Sequence, residues 1–212
     1  KYANIEHLED EKRFKFIEGD IRDLDTCISA MENCDSVNHQ AALGSVPRSV
    51  SDPVTTHAHN ATGTLNIFHA AQKLGVKRVV YASSSSTYGD EGTLPKIETR
   101  IGAPLSPYAV TKRISEMYST VFSTLHGMEV IGMRYFNIFG PRQDPEGMYA
   151  AVIPKFTSLI LNGEKPEIHG DGEQSRDFTH ISNAVSANLK ALFSTNQEAF
   201  GRVFNIACGY RI

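Results

Sequence analysis

The run Lys77-Arg78-Val79-Val80-Tyr81-Ala82-Ser83-Ser84-Ser85-Ser86 decides the fold. Its first half is compactly apolar, as a strand covered on both faces must be. Its second half gives up apolar residues for four consecutive hydroxyls. Upstream, Asp52 to Leu74 has a helical pattern, with Pro53 in the first turn and Gly75 just past the end. Downstream, Pro107 to His126 reads as a helix closed by Gly127, and Glu129 to Arg134 as a strand. Nearer the start, Phe14 to Glu18 reads as a strand ending at Gly19-Asp20, Asp23 to Glu32 as a helix and Asp35 to His39 as a strand. Beyond Gly140-Pro141 a Gly/Pro/Asp-bearing loop runs to Gly147. A helix around Ala150 to Leu161 follows, then a short strand Glu167 to His169, a helix from about Ser182 to Ser194 and a strand Val203 to Ala207. Strands alternating with helices imply β-α-β units and an α/β fold with a doubly wound parallel sheet.

The composition agrees with such a fold and excludes several others. The 212 residues are 41% hydrophobic and 21% charged, with a net charge of −3. That balance buries a core without staples and leaves no basic footprint for nucleic acid or an anionic membrane. No apolar run approaches the ~20 residues that span a bilayer. Cys27, Cys34 and Cys208 are an odd number without a C-x-x-C pair, so no disulfide framework or zinc ribbon is indicated and a reducing, cytoplasmic setting is expected. His57 and His59 form an H-x-H inside a helical pattern with no cysteine nearby, and no metal site is expected.

In doubly wound sheets the ligand crevice lies beyond the carboxyl ends of the strands. The residues there are Gly19-Asp20, Gln40 to Ser45, Ser83 to Ser86 and Tyr135 to Asn137. Tyr108 and Lys112, four apart in one helix, project from the same face. An ammonium beside a phenol stabilises the phenolate and lowers its pKa, which makes the tyrosine usable as a general base. Alone, the pair reads better as a surface pairing on a helix. The hydroxyl run at the end of the preceding buried strand changes this, because those hydroxyls reach the oxygen that Tyr108 would address.

Seven sequence words carry a resemblance. They are Gly19-Asp20-Ile21-Arg22-Asp23, His39-Gln40-Ala41-Ala42, Asn60-x-x-Gly63-Thr64-x-Asn66, Ser83-Ser84-Ser85-Ser86-Thr87-Tyr88-Gly89, Tyr108-x-x-x-Lys112, Arg134-Tyr135-Phe136-Asn137-x-Phe139-Gly140-Pro141-Arg142 and Gly170-Asp171-Gly172-x-Gln174-x-Arg176-Asp177-Phe178. In this order they resemble the extended short-chain dehydrogenase/reductase family, in its NAD-dependent epimerase/dehydratase branch, over essentially the whole chain. Gly44-Ser45-Val46-Pro47-Arg48-Ser49 looks most like the bacterial UDP-N-acetylglucosamine 4-epimerases.

The resemblance implies a Rossmann-type NAD-binding domain over residues 1–140. Residues 141–212 would contribute to a smaller UDP-sugar-binding lobe and the last sheet strands. Asp20 and Ile21 would hold the adenine, and Gln40, Ala41, Ala42 and Leu43 would line the dinucleotide, with Tyr135 beside the nicotinamide. Asn60 either touches the cofactor or braces loops. Ser84, Ser85 and Ser86 would contact the sugar and the catalytic phenol of Tyr108, while Lys112 bonds the nicotinamide ribose and lowers the Tyr108 pKa. Gly44, Ser45, Asn137, Ala151 and Val152 would border the sugar and diphosphate. Glu167 and His169 fall where the family seats the uracil, and Arg176 where it binds phosphate.

The implied activity is NAD-dependent C4 epimerisation of a UDP-hexose through a transient 4-keto sugar, for surface polysaccharide precursors. UDP-GlcNAc/UDP-GalNAc, or their uronic acids, come first as substrates. A UDP-glucuronate 4-epimerase or decarboxylase is the alternative, and a non-catalytic dinucleotide-binding module is one of another class. The 4,6-dehydratases of the branch carry an Asp-Glu pair where this chain has Ser85-Ser86, and two serines are poor substitutes for the acid and base that dehydration needs. The family's glycine-rich G-x-x-G-x-x-G turn has no counterpart here, and family members continue past the position of Ile212. The resemblance therefore implies an internal piece of a longer protein. It also implies a homodimer through a four-helix bundle. Val110, Ile114, Met117 and Val121 have the spacing this requires, although the same stripe can face the sheet.

Overall fold

The computed structural model describes residues 2–145, 151–168 and 170–212. Helix α1 (Leu24–Met31) leads into strand β1 (Ser36–His39). Three further helices follow: α2 (Val46–Ser51), α3 (Pro53–His57) and α4 (Gly63–Lys73). A π-helical turn, Ala58–Thr62, joins the last two, so the helix expected from Asp52 to Leu74 carries a bulge at its centre. Then come β2 (Arg78–Ser84), α5 (Pro107–His126), β3 (Glu129–Tyr135) and the short β4 (Ile138–Phe139). The chain ends through α6 (Val152–Leu161), β5 (Thr179–His180), α7 (Ile181–Leu192) and β6 (Arg202–Ile206).

Among the described residues the main sheet has the order β1-β2-β3-β6, and every pairing in it is parallel. Its register brings His39 opposite Tyr81, Ser84 opposite Tyr135 and Tyr135 opposite Ile206, so three strands end together on one rim. Strand alternation divides the core. Val79, Tyr81 and Val130 pack with Phe68, Ala71 and Phe122 of α4 and α5. Val80, Ile131 and Met133 pack against Ala191 and its neighbours on α7. Helices therefore cover both faces, as the uninterrupted apolar reading of β2 anticipates.

The longest helix is well signalled. Ser106 accepts a hydrogen bond from the Ala109 N–H, Pro107 occupies the first turn, and Gly127 takes a left-handed conformation at φ 61°. This start fixes Tyr108 in the first turn, over the rim of β2. On the other face, Arg78 donates to the carbonyls of Ala191 and Leu192 at the carboxyl end of α7 and also pairs with Glu129.

Two expected strands are not formed. Phe14 to Glu18 pairs with no strand among the described residues, and Phe16 is 50% exposed. Apolar alternation marks a segment able to join a sheet, but a ladder also needs a partner edge. Glu167 and Ile168 are likewise exposed and irregular, and His169 lies outside the described residues.

Close packing in the sheet rests on one glycine. A Cβ at Gly132 would stand 2.5 Å from the Tyr81 hydroxyl and 2.6 Å from its Cζ, inside a fully buried ring environment. Gly132→Ala should lower stability by about 1–3 kcal/mol through overpacking. Urea unfolding tests this; an unchanged midpoint would show that the ring has room to move.

Candidate active site

A cleft of about 590 Å³ opens where the strands end. Its lining includes Gln40, Ala42 and Gly44 from the loop after β1, Ser83 and Ser84 from β2, Tyr108 and Lys112 from α5, and Tyr135 and Asn137 after β3. These expected residues come from four separate stretches of sequence. The parallel register delivers them to one rim.

At the centre, Ser84 and Tyr108 line the cleft together, and the Lys112 Nζ donates to the Ala82 carbonyl at 2.8 Å. Burial dominates the electrostatics. It pushes the Tyr108 phenol above its ordinary pKa, with the Ser84 hydroxyl pulling the other way. It also drives the Lys112 ammonium down to about 8. The expected lowering of Tyr108 by Lys112 is thus not what this geometry gives. The ammonium gives one of its hydrogens to a backbone carbonyl and sits 5.9 Å from the phenol ring centroid. Burial therefore favours the neutral phenol, and further positive charge beside Tyr108 would favour its phenolate.

The serine run divides in its roles. Ser84 lines the cleft, whereas Ser85 and Ser86 turn into a short 3-10 helix, Ser85–Tyr88. The Ser86 hydroxyl and N–H both donate to Ser84 Oγ, at 3.0 and 3.2 Å. Ser86 therefore orients Ser84 and does not itself line the cleft.

Asn60 braces a loop. Its Oδ1 accepts the Leu43 N–H at 2.7 Å, and its Nδ2 donates to the Leu43 carbonyl and to Thr111 Oγ1. Both amide hydrogens are taken and the side chain is buried, which matches the loop-bracing one of its two expected roles. The π-helical turn gives Asn60 this inward aim. Gly63, in the same sequence word, admits Ile21: a Cβ there would stand 2.6 Å from the Ile21 side chain. Ile21 consequently packs against the core, and Asp20 beside it forms an exposed pair with Arg22 that holds its carboxyl down at about 2.

Other expected residues stand apart from the cleft. Ala41 is exposed, and Ser45 caps α2 by accepting the Arg48 N–H. Ala151 and Val152 begin α6, both exposed. Arg176 exchanges two backbone hydrogen bonds with Ile212 and donates its guanidinium to the Ser175 carbonyl, outside the cleft lining. Asn137, at φ 34°, lines the cleft while its Nδ2 donates to the Asp177 carbonyl.

The sequence reading did not single out the far wall. Ile181, Ala184, Val185, Asn188 and Leu189 of α7 line the cleft with Asn38 and Ile138. Asn188 is the polar centre of that wall. It donates to the Tyr135 hydroxyl at 2.7 Å and accepts from Gln40 at 3.0 Å, while Tyr135 donates to Gln40 at 2.9 Å. Its signal was a lone polar residue on the buried Ala184–Asn188–Ala191 stripe.

Beneath the rim, His39 Nε2 lies 3.0 Å from Thr64 Oγ1, and burial together with the Lys112 charge pushes its pKa down to about 3. Unfolded, it would titrate near 6.5. The unfolded chain then binds a proton that the folded one refuses, so this contribution is complete above about 6.5 and is lost as pH falls toward 3. His39→Gln should remove that acid sensitivity. Urea midpoints of the two proteins should converge or cross between pH 7.5 and 5; parallel pH dependences would contradict the assignment.

Comparison with known proteins gives this geometry a family. The profile of the NAD dependent epimerase/dehydratase family matches residues 1–207. A UDP-glucose 4-epimerase of Mycolicibacterium smegmatis is 34% identical over 208 residues, covering 97% of this chain and 65% of that protein. A solved structure of a UDP-N-acetylglucosamine 4-epimerase from Methanobrevibacter ruminantium, in complex with UDP-N-acetylmuramic acid, superposes with TM-score 0.91 at 39% identity. It covers 98% of this chain and 66% of that one. A Bacillus cereus UDP-glucuronic acid 4-epimerase, solved with UDP-glucuronic acid and NAD, gives TM-score 0.89 at 30% identity, over 99% and 65% of the two chains. The chain spans 59% to 65% of the length of the first three curated relatives. With its parallel sheet and strand-end cleft, the chain belongs to the NAD dependent epimerase/dehydratase family.

Proposed function

We propose that this chain carries the catalytic centre of an NAD-dependent UDP-hexose 4-epimerase, with UDP-N-acetylglucosamine as first substrate. The observation that carries the reading is the meeting of Ser84, Tyr108 and Lys112 in one cleft beyond parallel strands. The donor set suits the nicotinamide ribose half of a dinucleotide. Lys112 offers an ammonium, Tyr108 a hydroxyl, and Gln40, Tyr135 and Asn188 a polar wall.

In the proposed reaction Tyr108 takes the proton of the C4 hydroxyl, and Ser84, which lines the same cleft, holds the same oxygen. Lys112 keeps positive charge beside the phenol and bonds the ribose. NAD bound there would supply a hydride acceptor and donor for C4 and positive charge that favours the Tyr108 phenolate. Tyr108 then gives its proton back, so no net oxidation occurs.

Among the described residues the cleft lining carries no carboxylate to eliminate water from C5 and C6, which argues against 4,6-dehydration. Preference for the N-acetylated sugar rests on the Gly44–Ser49 resemblance and on the 39% identity to a UDP-N-acetylglucosamine 4-epimerase. A UDP-glucuronate 4-epimerase is the second reading, favoured by the Bacillus cereus structure. The 4-epimer would serve surface polysaccharide synthesis in the cytoplasm, a compartment consistent with three free cysteines. Among the described residues no helix is long and apolar enough to cross a membrane.

A homodimer is part of the proposal. Val110, Met117 and Val121 are 42%, 59% and 46% exposed, so the α5 stripe faces away from the sheet. Beside it runs an apolar groove of about 400 Å³, lined by Ala61 and Leu65 with Ile114, Met117 and Val121. Met117→Glu with Val121→Glu should halve the mass seen by sedimentation of the natural protein; an unchanged mass removes this surface from the interface.

Product analysis of the natural protein given NAD and, separately, UDP-GlcNAc, UDP-Glc and UDP-glucuronate tests the activity. UDP-GalNAc should dominate. UDP-galacturonate alone would favour the second reading, and no product from any sugar would favour a binding module. Tyr108→Phe should still bind NAD and lose about 10²–10⁴-fold in turnover; near-normal turnover would reject Tyr108 as the base.

A further inference from the structure

Consecutive residues of β2 face α5. The Ala82 carbonyl accepts from Lys112 Nζ at 2.8 Å, the Ser83 hydroxyl donates to Glu116 Oε1 at 2.6 Å, and Ser84 lines the cleft with Tyr108. Tyr108, Lys112 and Glu116 recur every four residues and so share one helix face. The first two line the cleft; Glu116 does not, and it is 3% exposed. Its carboxylate is gripped by Arg134 of β3, Nε to Oε1 at 2.8 Å and Nη2 to Oε2 at 2.9 Å, and by Arg113 at 2.9 Å. Arg134 is itself buried, donates to the Glu98 carbonyl, and lies 4.8 Å from the centre of the Tyr88 ring.

A fully buried ion pair is a poor device for stability alone, because apolar residues of similar volume often serve as well or better. What it does supply is direction. Apolar contact between a helix and a sheet tolerates small rotations, whereas a bidentate guanidinium–carboxylate pair fixes both angle and height. The pair stands one turn beyond Lys112, and its Ser83 contact is adjacent in β2 to Ser84.

We propose that Glu116, clamped by Arg134, is a positioning residue that sets the rotation of α5 so that Tyr108 meets Ser84 and the substrate hydroxyl. This rests on the 4-epimerase reading above. It concerns a group that touches neither sugar nor cofactor.

The test uses the natural protein loaded with NAD. Glu116→Gln would strand Arg134 as a buried unpaired charge and risk unfolding, so the informative variant removes both charges, Glu116→Leu with Arg134→Met. Ser83→Ala, which leaves the ion pair whole, provides a second route. Both should unfold cooperatively like the wild type and keep KM for the UDP-sugar within about twofold. The double variant should lose about 10- to 100-fold in kcat, with a smaller loss for Ser83→Ala. The ascending limb of kcat against pH should move to higher pH in both, since a displaced Tyr108 loses the nearby Ser84 hydroxyl that favours its phenolate. Folded variants with wild-type kcat and an unmoved limb would overturn the proposal. A wild-type protein without 4-epimerase turnover would defeat the functional reading alone. In that case the midpoint of carbon-13-labelled Tyr108 titration decides: raised in the variants it supports positioning, unmoved it overturns it.

Discussion

Everything in the cleft depends on how helix α5 seats on strand β2. The strand is apolar where it crosses the core and hydroxylic where it leaves it, and the helix places a phenol, an ammonium and a carboxylate against that second half. The apolar part, Val79 and Tyr81 against Phe122, provides non-directional attraction. The polar part converts that attraction into one orientation. Polar groups buried at this depth must be paired, and here each pairing also aligns a group that the proposed chemistry uses.

The same economy holds one loop away. Asn60 lies in a π-helical turn and holds the segment after β1, so the wall formed by Gln40, Ala42 and Gly44 is tethered to the helical layer. Three residues on, Gly63 lets Ile21 close against α4, which sets the Asp20 turn. One sequence word thus supports two candidate binding segments. On the opposite face Arg78 secures the end of α7, the helix that supplies the far wall.

How much of this was legible in the sequence follows from which signals are local. Pro107–His126 was readable to the residue because its cap, its first-turn proline and its terminal glycine are all local devices. The parallel order and the strand-end cleft followed from alternation alone. Phe14 to Glu18 misled because a strand pattern does not state whether a partner edge exists. The Tyr108–Lys112 spacing correctly announced a shared face, but not where the ammonium would point, and burial reversed the expected direction for the phenol. Asn188 and Glu116 were passed over because the partners that give them their place in the site, Tyr135 and Gln40 for the one and Arg134 and Ser83 for the other, lie more than fifteen residues away, where no spacing rule reaches.

The chemistry proposed for the cleft hinges on the fate of one hydrogen. If Tyr108 moves only the hydroxyl proton while the carbon-bound hydrogen leaves and returns within the site, the carbon-bound hydrogen never exchanges with solvent. The direct measurement is conversion of UDP-GlcNAc deuterated at C4, in ordinary water, by the NAD-loaded natural protein, with mass spectrometry of the product. The expected result is UDP-GalNAc that retains the deuterium at C4. Loss of the label to water would contradict hydride return at this site.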